Sequence, residues 1–333
     1  MGARACQLLI GLTALLAVPA LVQAEGAWSS VVGAKVSYTT DVFQFSAARR
    51  LALAEDPSQP TVVPLDKPED VIWEPSVEVT RAFSTWLGRN EVSVKGHGFL
   101  YTDKAIFNHG DYRIQTRQWL GSDTSILFRY RYLPNLFLGP NFERRTGQRL
   151  MREERVTTHR WRFEVDREVA DSWRLSAIGR YGIRLYNEPF AERDTQFFAI
   201  GPQVAYTPVP WVTATVGYLY ERGLADGREE PQVQDDVSYY LHVLSVGAEF
   251  RPIERLALNL AYLHLRKTFT SSIAGDIHLG RFDTTHQGLV EFRYQITPAT
   301  GVSVSYQRTQ RSSNVVTRSF HDNIVSLGGE HRF

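Results

Sequence analysis

The sequence predicts an all-β protein: a closed, transmembrane, antiparallel up-and-down β-barrel of about 14 strands. Three observations predict it. From residue 28 onward apolar and polar residues alternate with period two, and no stretch holds a helical period for long. The connections between the alternating stretches are short and long by turns. Five of the 7 tryptophans fall at the short-connection ends.

Composition alone points elsewhere. A mean hydropathy of −0.26 and a net charge of +1 describe an ordinary soluble protein. They exclude a helical membrane bundle, which needs several apolar runs of about 20 residues. The 18 Phe, 15 Tyr and 7 Trp exclude a disordered chain. The balanced charge argues against nucleic acid as a partner. One bias stands out: of 37 basic residues 32 are Arg.

Residues 1–24 read as a secretory signal peptide. Arg4 precedes an apolar run from Leu8 to Val22, and Val22-Gln23-Ala24 places small residues for cleavage before Glu25. Cys6 leaves with the leader, so the barrel domain, residues 25–333, holds no disulfide. Closing the sheet on itself is then the means of protecting its edges.

The alternation marks strands at 30–45, 71–83, 91–103, 111–119, 125–134, 155–167 and 173–186. It continues at 195–207, 211–223, 237–250, 255–269, 281–296, 301–310 and 319–333. Short connections carry turn residues, as in Gly121-Ser122-Asp123, Ala170-Asp171-Ser172 and Pro208-Val209-Pro210. Long polar connections fall between, among them 46–70, 135–154, 224–236 and 270–280. Short turns on one side and long loops on the other fit periplasmic turns and extracellular loops. Trp28, Trp86, Trp119, Trp173 and Trp211 then form a periplasmic aromatic girdle. Trp119 falls on the inward parity unless its strand carries a bulge.

The last strand runs Asn323, Val325, Leu327 to Phe333. It resembles the terminal assembly signal of Gram-negative outer-membrane β-barrels, although His331 stands where that signal has an apolar or aromatic residue. The chain as a whole is similar to porin-like members of that class. The resemblance implies a cell outer membrane location, contact with outer-membrane lipids and lipopolysaccharide, and insertion by the barrel-assembly machinery through Phe333.

Neighbouring strand residues point to opposite faces, so the apolar parity is assigned to lipid and the other to the lumen. The luminal set then includes nine arginines on four adjacent strands: Arg113, Arg117, Arg129, Arg131, Arg160, Arg162, Arg174, Arg180 and Arg184. Elsewhere the same parity carries Asp41, Glu74, Glu78, Glu221, Glu249 and Glu291, read as an acidic wall facing the arginines. Such a field orients polar solutes and selects by charge. His242, His264 and His286 share the outward parity, at the level of an upper interfacial belt.

The function expected is a channel for small polar, anionic solutes. The alternatives are an export channel for an anionic exopolysaccharide, a non-conducting scaffold and, last, a hydrolase. The last has weak support: Ser93 and His97 lie four residues apart on one strand, about 13 Å at strand rise. The acid pairs Glu229-Glu230 and Asp235-Asp236 read as solvated loop charge. No metal-binding or phosphate-binding motif is present, so no cofactor and no metal is expected.

Overall fold

The structure, a computed structural model, describes residues 27–42, 68–315 and 319–333. The expected leader lies outside these residues. The strands are β1 (Trp28–Thr39), β2 (Asp70–Thr85), β3 (Gly88–Tyr101), β4 (His109–Leu120), β5 (Thr124–Phe142), β6 (Met151–Ala170) and β7 (Trp173–Tyr186). They continue as β8 (Thr195–Val209), β9 (Val212–Ala225), β10 (Tyr239–Ile253), β11 (Leu256–Phe269), β12 (Phe282–Gln295), β13 (Thr300–Ser313) and β14 (Phe320–Arg332). Each strand pairs antiparallel with the next, and β1 pairs with β14 from Val31↔Arg332 to Thr39↔Ile324, closing the barrel. Closure leaves no unpaired edge, so a chain without disulfides satisfies its backbone inside the sheet.

The largest departure from the sequence reading is the connection expected at 135–154. Both flanking strands run on into it, β5 to Phe142 and β6 from Met151, leaving a loop of eight residues, 143–150. Pro134, Gly139 and Pro140 are of types that commonly interrupt strands. Here they sit at two register shifts, with Asn135 (φ 47°) and Gly139 (φ 128°) in the left-handed region. A bulge absorbs the extra residue and bends the hairpin without ending it. Asp41 is a second difference: β1 ends at Thr39, so Asp41 lies beyond the strand and not on its inner face.

The outer surface is apolar through the middle of the wall. Val94, Ile114, Phe128, Phe163, Ile200, Val216, Phe292 and Leu327 are all exposed, on eight different strands. A continuous belt of this kind is unstable in water and is covered by lipid hydrocarbon. The barrel therefore crosses a lipid bilayer by its strands. No helix among the described residues is long and apolar enough to cross.

Packing lies inside, in patches. Ile178, Ala199, Leu219, Leu241, Val243, Leu263 and Leu265 cluster with Tyr239 on the inner face of β7 to β11. Val42, Ile72, Phe99, Tyr101, Phe107, Phe137 and Ile324 form a second cluster toward the long-loop end. Two glycines set close approaches between strands. A Cβ on Gly201 would lie 1.9 Å from the Tyr218 carbonyl oxygen, and one on Gly182 would lie 2.1 Å from the Phe197 ring.

Candidate functional site: the barrel lumen and the loops above it

Register converts the arginine-rich sequence into rows. Reading across the inner face, Lys95 stands opposite Arg113, Arg113 opposite Arg131, and Arg131 opposite Arg160. One step toward the short turns, Gln115 faces Arg129, Arg129 faces Arg162, and Arg162 faces Arg180. Like charges directly opposite one another destabilise a sheet, so fold stability alone gives no reason for these rows.

Carboxylates are threaded through the rows and do not form a separate wall. Glu78 accepts from Arg113 at 2.8 Å and lies 3.5 Å from Lys95 Nζ. Asp111 takes the Arg131 fork, with Nε at 2.6 Å. Asp166 accepts from Arg117 at 2.8 Å, and Glu164 pairs with Arg162. Glu291 lies 2.5 Å from Arg293 Nε and 4.0 Å from Lys35 Nζ. The expected acidic wall is thus corrected. Glu74 and Glu78 sit beside the basic rows, Glu249 pairs with Arg251 near the short turns, and the inner face of β8 to β11 is largely apolar. Alternation places Glu221 and Glu249 inward on those strands, and the structure does too, but most of their neighbours on that face are apolar.

Two members of the expected set are inward but sealed. Arg184 is 1% exposed; its Cζ stacks 4.2 Å from the Phe197 ring centroid and Nη1 donates to Tyr239 Oη at 2.8 Å. Glu221 is 2% exposed, lies 3.6 Å from Arg184 Nη2 and accepts from Tyr239 Oη. Arg174, at the other end of β7, is exposed and donates to Glu168 at 2.7 Å. The open space lies on the opposite side of the lumen. A cavity of about 560 Å³ is lined by strands at and near the β1–β14 seam. Its charged lining is Lys35, Lys95, Arg113, Arg129, Arg131 and Arg293 against Glu74, Asp111, Glu291 and Glu330. Within it Arg129 Nε donates to the neutral Gln115 at 2.8 Å.

The girdle is corrected at one position. Trp28, Trp86, Trp173 and Trp211 are exposed near the short turns. Trp119 points inward, because β4 keeps unbroken register with β3 and β5 and places it opposite Ser125. It lies under two guanidinium groups, with Arg89 at 5.0 Å and Arg117 at 6.0 Å. Phe333 bonds through its backbone to Ser30 at 2.9 Å, beside the β1–β14 seam. On the outer face His264 stands opposite His286, while Tyr218 and Tyr262 hydroxyls meet His242 and His286 at 2.6 and 2.7 Å. His97 Nε2 lies 3.5 Å from Glu74, and Ser93 Oγ makes no hydrogen bond, so the Ser–His contact of a nucleophilic site is not formed between them.

The long loops hold a cluster that the sequence reading treated as solvated. Asp235 is 0% exposed and Asp236 is 4% exposed. Asp235 Oδ2 accepts from Arg193 at 2.7–2.8 Å, and Arg193 Nη1 donates to Glu154 at 2.6 Å. Burial works against the Asp235 charge, but Arg193 and His278 beside it hold the carboxyl well below the usual range. Glu192 is pushed up to about 7, chiefly by burial and further by Asp235. This ties the β5–β6 hairpin to the loops after β7, β9 and β11. The adjacent acids in 153–154 and 235–236 were the visible signal; their partners lie about 40 residues or more away in sequence.

The sequence matches no protein-family model and no curated protein. Solved structures do resemble it. The outer membrane channel DcaP of Acinetobacter baumannii superposes with a TM-score of 0.53 at 11% identity, covering 92% of this chain and 97% of that one. OmpT of Vibrio cholerae with loop L8 deleted gives 0.50 at 7% identity, covering 93% and 100%. At these identities the likeness speaks for the fold: that of Gram-negative outer-membrane β-barrels, to which the structural neighbours of this chain belong.

Proposed function

We propose that the protein is an outer-membrane channel for small polar solutes, with anions favoured. The observation that carries this reading is the pair of basic rows, Lys95–Arg113–Arg131–Arg160 and Arg129–Arg162–Arg180. They cost sheet stability, and four of their members, Lys95, Arg113, Arg129 and Arg131, line the cavity. Six basic groups against four acidic ones leave that cavity net positive. Low-dielectric walls focus such a field on a passing solute. Arginine stays charged at any physiological pH and binds carboxylate or phosphate through a planar fork. The outward His and Tyr belt supports contact with lipopolysaccharide, and Phe333 is proposed as the assembly signal.

Solute uptake by proteoliposomes tests the channel. The barrel should admit a sugar acid faster than a neutral sugar of the same size. Arg129→Gln combined with Arg162→Gln should lower that ratio several-fold while neutral uptake persists. Unchanged discrimination removes the basic rows from the path. A second reading, a non-conducting barrel, is favoured by the sealed Arg184–Glu221–Tyr239 network and the apolar packing around it. Folded barrels that admit neither solute select it.

A further inference from the structure

Asp235, Asp276 and His278 are buried together, although Asp235 lies on the loop between β9 and β10 and the others on the loop between β11 and β12. One donor atom from each lies within 4.8 Å of the other two. His278 Nε2 is 3.2 Å from Asp235 Oδ1. That spacing is close to the separation of two ligands about 2.1 Å from one metal ion.

The surrounding bonds hold these donors in place. Arg193 takes Asp235 Oδ2, leaving Oδ1 toward the imidazole. Ser271 Oγ and the Asp236 backbone N–H take Asp276 Oδ2 at 2.6 and 2.8 Å, and the His278 backbone N–H reaches Oδ1. The His278 ring stacks on Phe269 at 4.8 Å. Bonds of this kind orient first-sphere ligands in metal sites.

Two buried groups of this locus have polar atoms without a hydrogen-bond partner. His278 is 5% exposed, and its Nδ1 has no hydrogen-bond partner. Glu192 is 0% exposed, and neither carboxylate oxygen accepts a hydrogen bond; the guanidinium nearest it, Arg145, is 3.7 Å away. Its backbone carbonyl and that of Asp235 both crowd Gly227, so the two acids belong to one locus. Glu154, Glu192, Asp235, Asp236 and Asp276 are all buried there around one buried guanidinium, Arg193. The other buried arginine nearby, Arg281, is bound to Asp283. Glu192 is pushed toward its neutral form, and the four other carboxylates still exceed the guanidinium, an excess that a bound cation offsets.

We propose that Asp235, Asp276 and His278 bind one divalent transition-metal ion, clipping the β9–β10 loop to the β11–β12 loop above the barrel mouth. Imidazole with two carboxylates suits Zn²⁺ better than the hard cations. The site is independent of what passes through the lumen.

The test uses the full barrel, folded in detergent and stripped with a chelator. His264 and His286 form an outward pair with ring centroids 4.9 Å apart, so the measurement is made in a His264→Gln/His286→Gln background. Calorimetric titration with Zn²⁺ should show one ion per chain. His278→Gln and Asp276→Asn should each weaken binding at least tenfold while heat-modifiable gel mobility reports an intact barrel. Zn²⁺ should also slow tryptic cleavage at the exposed Arg228 in the background protein but not in Asp276→Asn. No Zn²⁺ uptake by the folded background protein, or uptake that neither variant alters, overturns the proposal.

Discussion

Arg184 and Trp119 set the limits of a parity argument. Both lie on the inner face, as counting along the strand requires, and neither plays the part that its type suggested. Arg184 stacks on Phe197, bonds Tyr239 and stands 3.6 Å from Glu221, with almost no exposure. Removing one member of a buried pair costs about 3–5 kcal/mol, whereas replacing both with apolar groups is often neutral. Arg184→Met should therefore lower the urea midpoint strongly, and Arg184→Met with Glu221→Met should recover most of it. Equal destabilisation by the single and the double change would show that the pair is not coupled. Trp119 is shielded from lipid by the wall on which Arg89 and Arg117 cover it. Single-tryptophan barrels in vesicles of brominated lipid should lose fluorescence for Trp173 and Trp211 and keep it for Trp119. Quenching of Trp119 equal to that of Trp211 would place it outside.

At the scale of the element, alternation located all fourteen strands because a half-wet, half-lipid wall imposes period two on each. It stopped short where a strand carries breakers. The run Asn135 to Pro140 reads as loop, yet two bulges let β5 continue to Phe142. On β10 and β11 it assigned the faces, with His242 and His264 outward, but not the apolar character of the inner one. Leu241, Val243, Leu263 and Leu265 face inward while Leu244, Val246, Leu260 and Tyr262 face outward, so both parities are apolar. The loop cluster was illegible for a third reason: Arg193, Glu154 and Asp235 meet through tertiary folding, and no local pattern records it. The strand packing makes its own prediction. Gly201→Ala drives a methyl group toward the β9 backbone, where nothing flexible can yield, and overpacking costs about 1–3 kcal/mol or more. Gly288→Ala meets nothing within 4 Å. Thermal unfolding in detergent should drop for the first and hold for the second. A normal Gly201→Ala barrel would mean that β8 and β9 do not approach as closely as described.

For the whole molecule, near-neutral charge and mild hydropathy conceal a division by face and by sector. Apolar side chains cover the outside. Inside, arginines concentrate on β4 to β7, apolar residues on β7 to β11, and a polar cavity with a net positive lining opens near the β1–β14 seam. The excess of Arg over Lys follows from this plan, since a guanidinium can stack on a ring, pair with a carboxylate and still hold its charge when half-buried. The most direct test is the reversal potential of the reconstituted barrel in a planar bilayer under a salt gradient. The account predicts stepwise conductance with a reversal potential of the anion-selective sign, moving toward zero when Arg129 and Arg162 are replaced by Gln. A folded, inserted barrel that passes no current, or one that reverses with the cation-selective sign, would contradict it.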